Sequence, residues 1–328
     1  GRLGEAPADI HWHEYFDAQK SDAPFESKIE ASIITDDTFR DTLGVDLGGY
    51  IKGPLPTSLS YISEIGSSAN ADITVDMTKA DIFLEELNYK RLEDGEGTAT
   101  FKASFSDGDI QKITDLEIKT DEISVESGQL SFIQKNQESV LSSGELEDIR
   151  VRENDIASFA FEITPEGVLK MKLAGKFYDA RFYLQNDKEK AGPIIDPPED
   201  KITEKDPQDF KPVLSRPKII SLNFDRVRTT PRSLIENVKL YLKLNENNQM
   251  TQFETDAKAG EGNLYLRYKP DETGQKNFRL EVGDAGAALQ AFDLYDKGLQ
   301  SCECPRIGET CQCIKLAGAC TTFPERGR

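Results

Sequence analysis

The chain has 328 residues, 59 of them acidic and 40 basic, for a formal net charge of -19. That balance excludes a phosphate-binding nucleic-acid surface, which needs a basic stripe, and it disfavours spreading on an anionic leaflet. Apolar residues make up 37%, too many for a disordered chain, and no apolar run approaches the ~20 residues of a membrane-spanning helix.

In chain order, Gly1-Arg2-Leu3-Gly4-Glu5 carries neither a Met nor a signal-peptide pattern, so the chain reads as starting mid-protein, with any export signal or anchor upstream. Asp9 to Ala18 has the spacing of a short helix. Taken as extended instead, it sets His11 and His13 on one face; with no third ligand in view they read as solvent-exposed rather than metal-binding. Pro56 to Ile65 is a second candidate helix, with Leu59 and Ile62 on one side.

From there period-2 alternation dominates, the mark of strands with one buried face. It runs through Ile73-Thr74-Val75-Asp76-Met77, Phe101 to Phe105, Leu116 to Lys119, Ile123 to Val125, Leu130 to Phe132, Phe159 to Ile163 and Leu169 to Leu173. It resumes at Val238 to Leu244, Leu264 to Tyr268 and Phe278 to Val282. Turn signals such as Ser106-Asp107-Gly108 and Pro165-Glu166-Gly167 separate the runs, which predicts antiparallel neighbours. Residues 186–218 break the pattern: prolines 193, 197, 198, 207, 212 and 217 stand among charged residues and cannot sit inside a sheet. Asp284 to Leu294 is the best helix candidate, with Asp284 as cap and Ala288, Leu289 and Phe292 on one stripe.

The expected fold is therefore mainly β: a long antiparallel meander curled into an open, taco-like groove with a few short helices. Its expected parts are a β-groove segment (1–185), a proline-rich linker or excursion (186–218), a second β segment ending in a short helix (219–300) and an atypical Cys-rich tail (301–328). The apolar face takes Ile73, Val75, Met77, Phe101, Phe105, Phe159, Phe161, Ile163, Leu169, Met171 and Leu173. In the second segment it takes Leu240, Leu242, Leu244, Leu264, Leu266, Phe278, Leu280 and Val282. Three short helices are too few to cover such a face, so its cover is a second sheet, the same sheet curled round, or a lipid.

Residues 283–299, Gly-Asp-Ala-Gly-Ala-Ala-Leu-Gln-Ala-Phe-Asp-Leu-Tyr-Asp-Lys-Gly-Leu, resemble a recurring segment of AsmA-like proteins in which a strand runs into a short helix. Asp284, Gly286, Leu289, Leu294, Tyr295 and Asp296 match that motif. Ile220 to Val227 looks like the strands that lead to it. Gly53-Pro54-Leu55 and Ala71 to Ala80 resemble the companion region, where such a turn precedes a short helix and then a strand. Together these cover most of residues 45–300. The resemblance implies a periplasmic protein held in the inner membrane by an upstream anchor, whose groove moves phospholipid toward the outer membrane by its acyl chains. It implies no cofactor, no metal and no catalytic residue. The sequence departs from the family after about Gln300, where a further strand is expected and a cysteine-rich tail without strand pattern stands instead.

Other chemistry finds little support. All five cysteines, Cys302, Cys304, Cys311, Cys313 and Cys320, fall in the tail, and their C-x-C spacing suits a tetrahedral zinc site poorly. A serine triad would have to use His11 or His13, the only histidines. No phosphate loop of the G-x-x-x-x-G-K-[ST] type is present. The alternative to lipid carriage is a non-enzymatic β-rich scaffold that assists outer-membrane assembly.

Overall fold

Residues alternating between β-branched or aromatic and Ser, Thr, Lys or Glu favour pleated strands with one dry face, and strands fill the protein. The computed structural model describes residues 1–3, 6–16, 23–42, 50–66, 68–84, 89–91, 95–135, 138–181, 216–271, 275–292, 315–316 and 319–320. The strands of the first half are β1 (Arg2–Leu3), β2 (Ala6–Glu14), β3 (Ser27–Thr35), β4 (Ile51–Lys52), β5 (Leu55–Ser63), β6 (Ser68–Asp76), β7 (Asp81–Leu84), β8 (Tyr89–Arg91), β9 (Gly97–Ser106) and β10 (Asp109–Thr120). Then follow β11 (Ile123–Lys135), β12 (Glu138–Val151), β13 (Asn154–Ile163), β14 (Leu169–Asp179), β15 (Lys218–Thr230), β16 (Ser233–Leu244), β17 (Met250–Ala259), β18 (Gly262–Pro270) and β19 (Lys276–Val282). Two short helices, α1 (Asp37–Thr42) and α2 (Ala285–Ala291), are described.

One sheet of sixteen strands takes all of these strands except β4, β7 and β8, in sequence order, and it does not close into a barrel. The expected open meander is therefore what forms. Every neighbour pair is antiparallel except β14 with β15, where Leu169 pairs with Lys218 and Asp179 with Arg228. The β stretches on either side of the proline-rich excursion thus lie in one continuous sheet. That excursion lies outside the described residues, apart from 216–218, where Lys218 already opens β15. The remaining strands form a three-stranded sheet, β4-β7-β8.

Two helix expectations are overturned. Asp9 to Glu14 belong to β2, and Leu55 to Ser63 form β5, both full sheet members. In β5 the period-2 set Leu55, Thr57, Leu59 and Tyr61 outweighs the helical spacing of Leu59 and Ile62, and its Ser and Thr content favours a pleat. The resemblance-based helix after Gly53-Pro54-Leu55 falls with it. The C-terminal helix does form: the Asp284 side chain accepts from the Ala287 amide at 3.0 Å, the usual N-cap bond. In the tail, Lys315–Leu316 and Ala319–Cys320 pair as a short hairpin, where no strand is expected.

Seven adjacent strands share a change of phase. In β11, Val125 and Gly128 are buried while Glu126 and Ser127 between them are exposed. Glu147-Asp148 in β12, Ala157-Ser158 in β13, Asp225-Arg226 in β15 and Glu236-Asn237 in β16 are likewise adjacent exposed pairs. The ladder aligns them, Ser127 with Glu147, Glu147 with Ser158, and Arg226 with Glu236. β14 changes phase between Gly175, paired with Ile156, and Tyr178, paired with Val227. Register shifts mark both limits, at Thr114/Glu117 between β10 and β9 and at Glu236/Lys239 between β16 and β17. Asp115, Asp148 and Asn237 have positive φ there (53°, 49° and 52°), a conformation that Asp and Asn tolerate better than other non-glycine residues. Bulges of this kind bend a strand, so the seam bends the sheet along a line crossing the strands.

Candidate functional site

The seam divides the inner face. On one side lie Ile123, Val125, Ile149, Val151, Ile156, Val227 and Ile235, all buried. Ile82 and Tyr89 of the three-stranded sheet pack into the same cluster, and so do Ala288 and Ala291 of α2. This half is a closed core. Its outer end is clamped at the parallel junction: Arg181 Nε donates to both Asp179 oxygens at 2.9 and 3.0 Å, and Arg228 lies 3.8 Å from Asp179 and also pairs with Glu153. Burial opposes ionisation of Asp179, but the hydrogen bonds from Arg181 and the charges of Arg181 and Arg228 hold its carboxyl below the ordinary value.

On the other side the ladder joins one residue from each of fifteen strands into a single row. From β2 to β10 it reads Trp12, Ile29, Tyr61, Ala71, Ala103 and Ile113. It continues through Leu130, Gly144, Phe161, Met171, Ile220, Leu242, Phe253, Tyr268 and Phe278 to β19. No charged, amide or carboxylate side chain interrupts it. At ~4.8 Å per strand the row is ~67 Å long. A second apolar row runs beside it from Leu146 through Phe159, Leu173, Leu222 and Leu240, and beyond Thr255 to Leu266 and Leu280. The larger residues here are half-buried or exposed rather than buried. The opposite face is polar: Lys172, Ser221, Tyr241, Glu254, Arg267 and Arg279 follow one another across the same strands.

The register puts eighteen of the nineteen predicted apolar residues on the inner face, and Met77, just past the end of β6, packs into a small core cluster with Leu55, Ala80 and Ala99. Met77, Leu169 and Leu264 are buried; Phe278 and Leu280 are exposed because β19 is the edge. The other fourteen, Ile73, Val75, Phe101, Phe105, Phe159, Phe161, Ile163, Met171, Leu173, Leu240, Leu242, Leu244, Leu266 and Val282, are half-buried. Of the motif residues, Asp284 caps α2, Gly286 lies within it and Leu289 is exposed; Leu294, Tyr295 and Asp296 lie outside the described residues. The row adds residues that sequence reading missed, among them Trp12, Ile29, Tyr61, Ile113, Leu130, Ile220, Phe253 and Tyr268. Leu130 and Tyr268 lie in alternating runs, where parity could have found them; Trp12, Ile29, Tyr61, Ile113 and Phe253 needed strand pairing.

Gly144 has a packing role within the row. A Cβ there would lie 2.4 Å from Phe161 Cε1 and 2.6 Å from Leu130 Cδ2, so its neighbours fill the space over the backbone. A pocket of about 450 Å³ at the strand ends is lined by Pro217, Leu244 and the Asn245–Asn247 turn, but also by Ile219 and Lys243 of the outer face, and it is not part of the strip. Among the described residues no group of three or more His, Cys, Asp or Glu could hold a metal ion, and no helix is long and apolar enough to cross a membrane. No protein-family profile, curated protein or solved structure matches the chain.

Proposed function

We propose that the open half of the groove binds phospholipid acyl chains, and that the chain is a segment of a periplasmic, inner-membrane-anchored lipid bridge of the AsmA-like type, acting without cofactor or covalent chemistry. The observation that carries this reading is the unbroken apolar row from Trp12 to Phe278, whose larger side chains are half-buried or exposed while Ala71, Ala103 and Gly144 are buried. Exposed apolar patches beyond a few hundred Å² mark interaction sites, and a strip ~67 Å long, two rows wide from β12 to β19, exceeds that. Hydrocarbon matches it because the strip offers area without polar anchor points. Each methylene leaving water contributes up to ~0.8 kcal/mol. The acidic surface adds no attraction for anionic headgroups, so binding depends little on salt.

The test is native mass spectrometry, with photo-crosslinking by a diazirine phospholipid, of protein purified from cell-envelope extracts. Lipid-bound species that crosslink at strip residues such as Met171 or Leu242 support the reading. Absence of bound lipid overturns it in favour of the scaffold reading, which draws on the half of the inner face that packed side chains already close.

A further inference from the structure

Among the described residues the row ends at two strand edges to which no further strand pairs at the row, and those edges are complementary. Among the described residues β1 pairs with Ala6 and Pro7 of β2, with one further bond from the Ala8 amide to the Gly1 carbonyl. Among the described residues nothing pairs with the outer side of β19. The Tyr15 amide bonds the Glu26 carbonyl across β2–β3, and the Gly283 amide bonds the Asn263 carbonyl beyond β18–β19. Backbone groups alternate sides along a strand. Ile10 and Trp12 on one edge, and Phe278 and Leu280 on the other, therefore turn their amides and carbonyls outward. The same four side chains face the groove and are exposed, at 44%, 68%, 66% and 53%.

We infer that β19 of one copy pairs with β2 of a second copy, joining grooves head to tail. Direction, phase and face all fit. Ala8 of β2 lies on the row side nearest the closed core and Glu14 at the opposite end; Val282 and Phe278 lie in the reverse order along β19. Copies placed with core beside core thus bring β2 and β19 together antiparallel. Residues in a hydrogen-bonded antiparallel pair put their side chains on the same face, so Phe278 and Leu280 fall beside Trp12 and Ile10 and the apolar row continues across the junction. The contact is heterologous: two different edges meet, and it propagates as a chain or ring. It rests on the edges alone and stands or falls independently of lipid binding.

The experiment measures solution mass of the purified 328-residue chain, free of lipid, by sedimentation over a hundredfold concentration range. Leu280→Pro and Ile10→Pro each remove an edge donor that makes no ladder bond within the chain, and melting curves within about 4 °C of wild type verify folding. Wild type is expected to grow beyond a dimer with concentration. Each variant alone stays monomeric, and a 1:1 mixture, which keeps one intact edge of each kind, stops at the dimer. A monomeric wild type overturns the inference. So does a single variant that still dimerises, which would mean like edges pair, or a mixture that stays monomeric. Leu280→Lys and Ile10→Lys, which charge the edges instead, are read by the same criteria if proline unfolds either strand.

Discussion

Leu242→Asp places a carboxylate in the middle of the apolar row, between Ile220 and Phe253. An acyl chain lying along the row either desolvates that charge or lifts several methylenes off the strip. At ~0.4 kcal/mol per half-buried methylene, taken as half the full-burial value, losing four to six contacts costs ~2 kcal/mol, and desolvation of the carboxylate adds to it. The expected outcome is a ~30-fold or greater loss of affinity. Leu242 is only half-buried, so folding survives with a modest loss of stability. The control is Tyr241→Asp, the same charge one residue earlier on the polar face, where Tyr241 pairs with Ser221 and Glu254. Titration with a fluorescent fatty acid, checked by melting curves, reads both. Equal effects from the two variants would show that net charge matters rather than the face, and undiminished binding by Leu242→Asp would refute acyl contact on the strip.

Phe224 borders the seam next to Leu222, joins the buried cluster, is 2% exposed and lies 5.3 Å from the Tyr178 ring; Phe224→Ala is expected to cost ~3–5 kcal/mol in urea unfolding, against ~1–2 kcal/mol for half-buried Met171→Ala. Comparable losses at both sites would contradict a core that ends short of the apolar row. Gly144→Ala forces Phe161 and Leu130 aside and should cost ~1–3 kcal/mol; Phe161→Ala in the same chain should recover part of that loss, seen as a non-additive double-mutant cycle. Asp179 has a folded pKa below its unfolded value, so its contribution is present above the unfolded pKa and lost as pH falls through the folded one. The melting-temperature gap between wild type and Asp179→Asn should therefore be constant from about pH 5 to 8 and close below about pH 4; a gap that widened on acidification would show the sign to be wrong.

The meander was legible because each strand carries its own alternation and its own turn: Asp107-Gly108, with φ of 54° and 87°, links β9 to β10 as a two-residue hairpin loop. What alternation could not supply was continuity through the seam. Ile123 to Val125 and Leu130 to Phe132 read as separate runs because their phases disagree, yet both lie in β11. A period-2 template ends at the first pair of adjacent outward residues, so 13-residue strands read as fragments. The row was illegible for a different reason. Trp12 and Ile113 join it only through pairing partners that sequence spacing does not reveal, and β2 and β5 were obscured by short stretches that also fit a helical period.

The seam is what allows one face to be both core and strip. With strict alternation through β11, inward Ile123 and Val125 would be followed by inward Ser127, Gln129 and Ser131, and Leu130 would face water. Two outward residues in succession reset the phase, so Gly128 and Leu130 return to the inner face beyond the bend. The same reset in β12, β13, β15 and β16 makes the inner face apolar along the whole strand, on both sides of the line. Only one side then needs a cover from the protein itself. The three-stranded sheet and α2 bury Ile123, Val151, Ile235 and Leu264, and burial of this kind is the main favourable term in folding. A sheet with its whole inner face open would lack that core, and one with both halves covered would have no strip. Burial is thus concentrated along and beyond the line of bulges and exposure in the row set back from it, and for that reason Phe224→Ala and Leu242→Asp should fail in different assays.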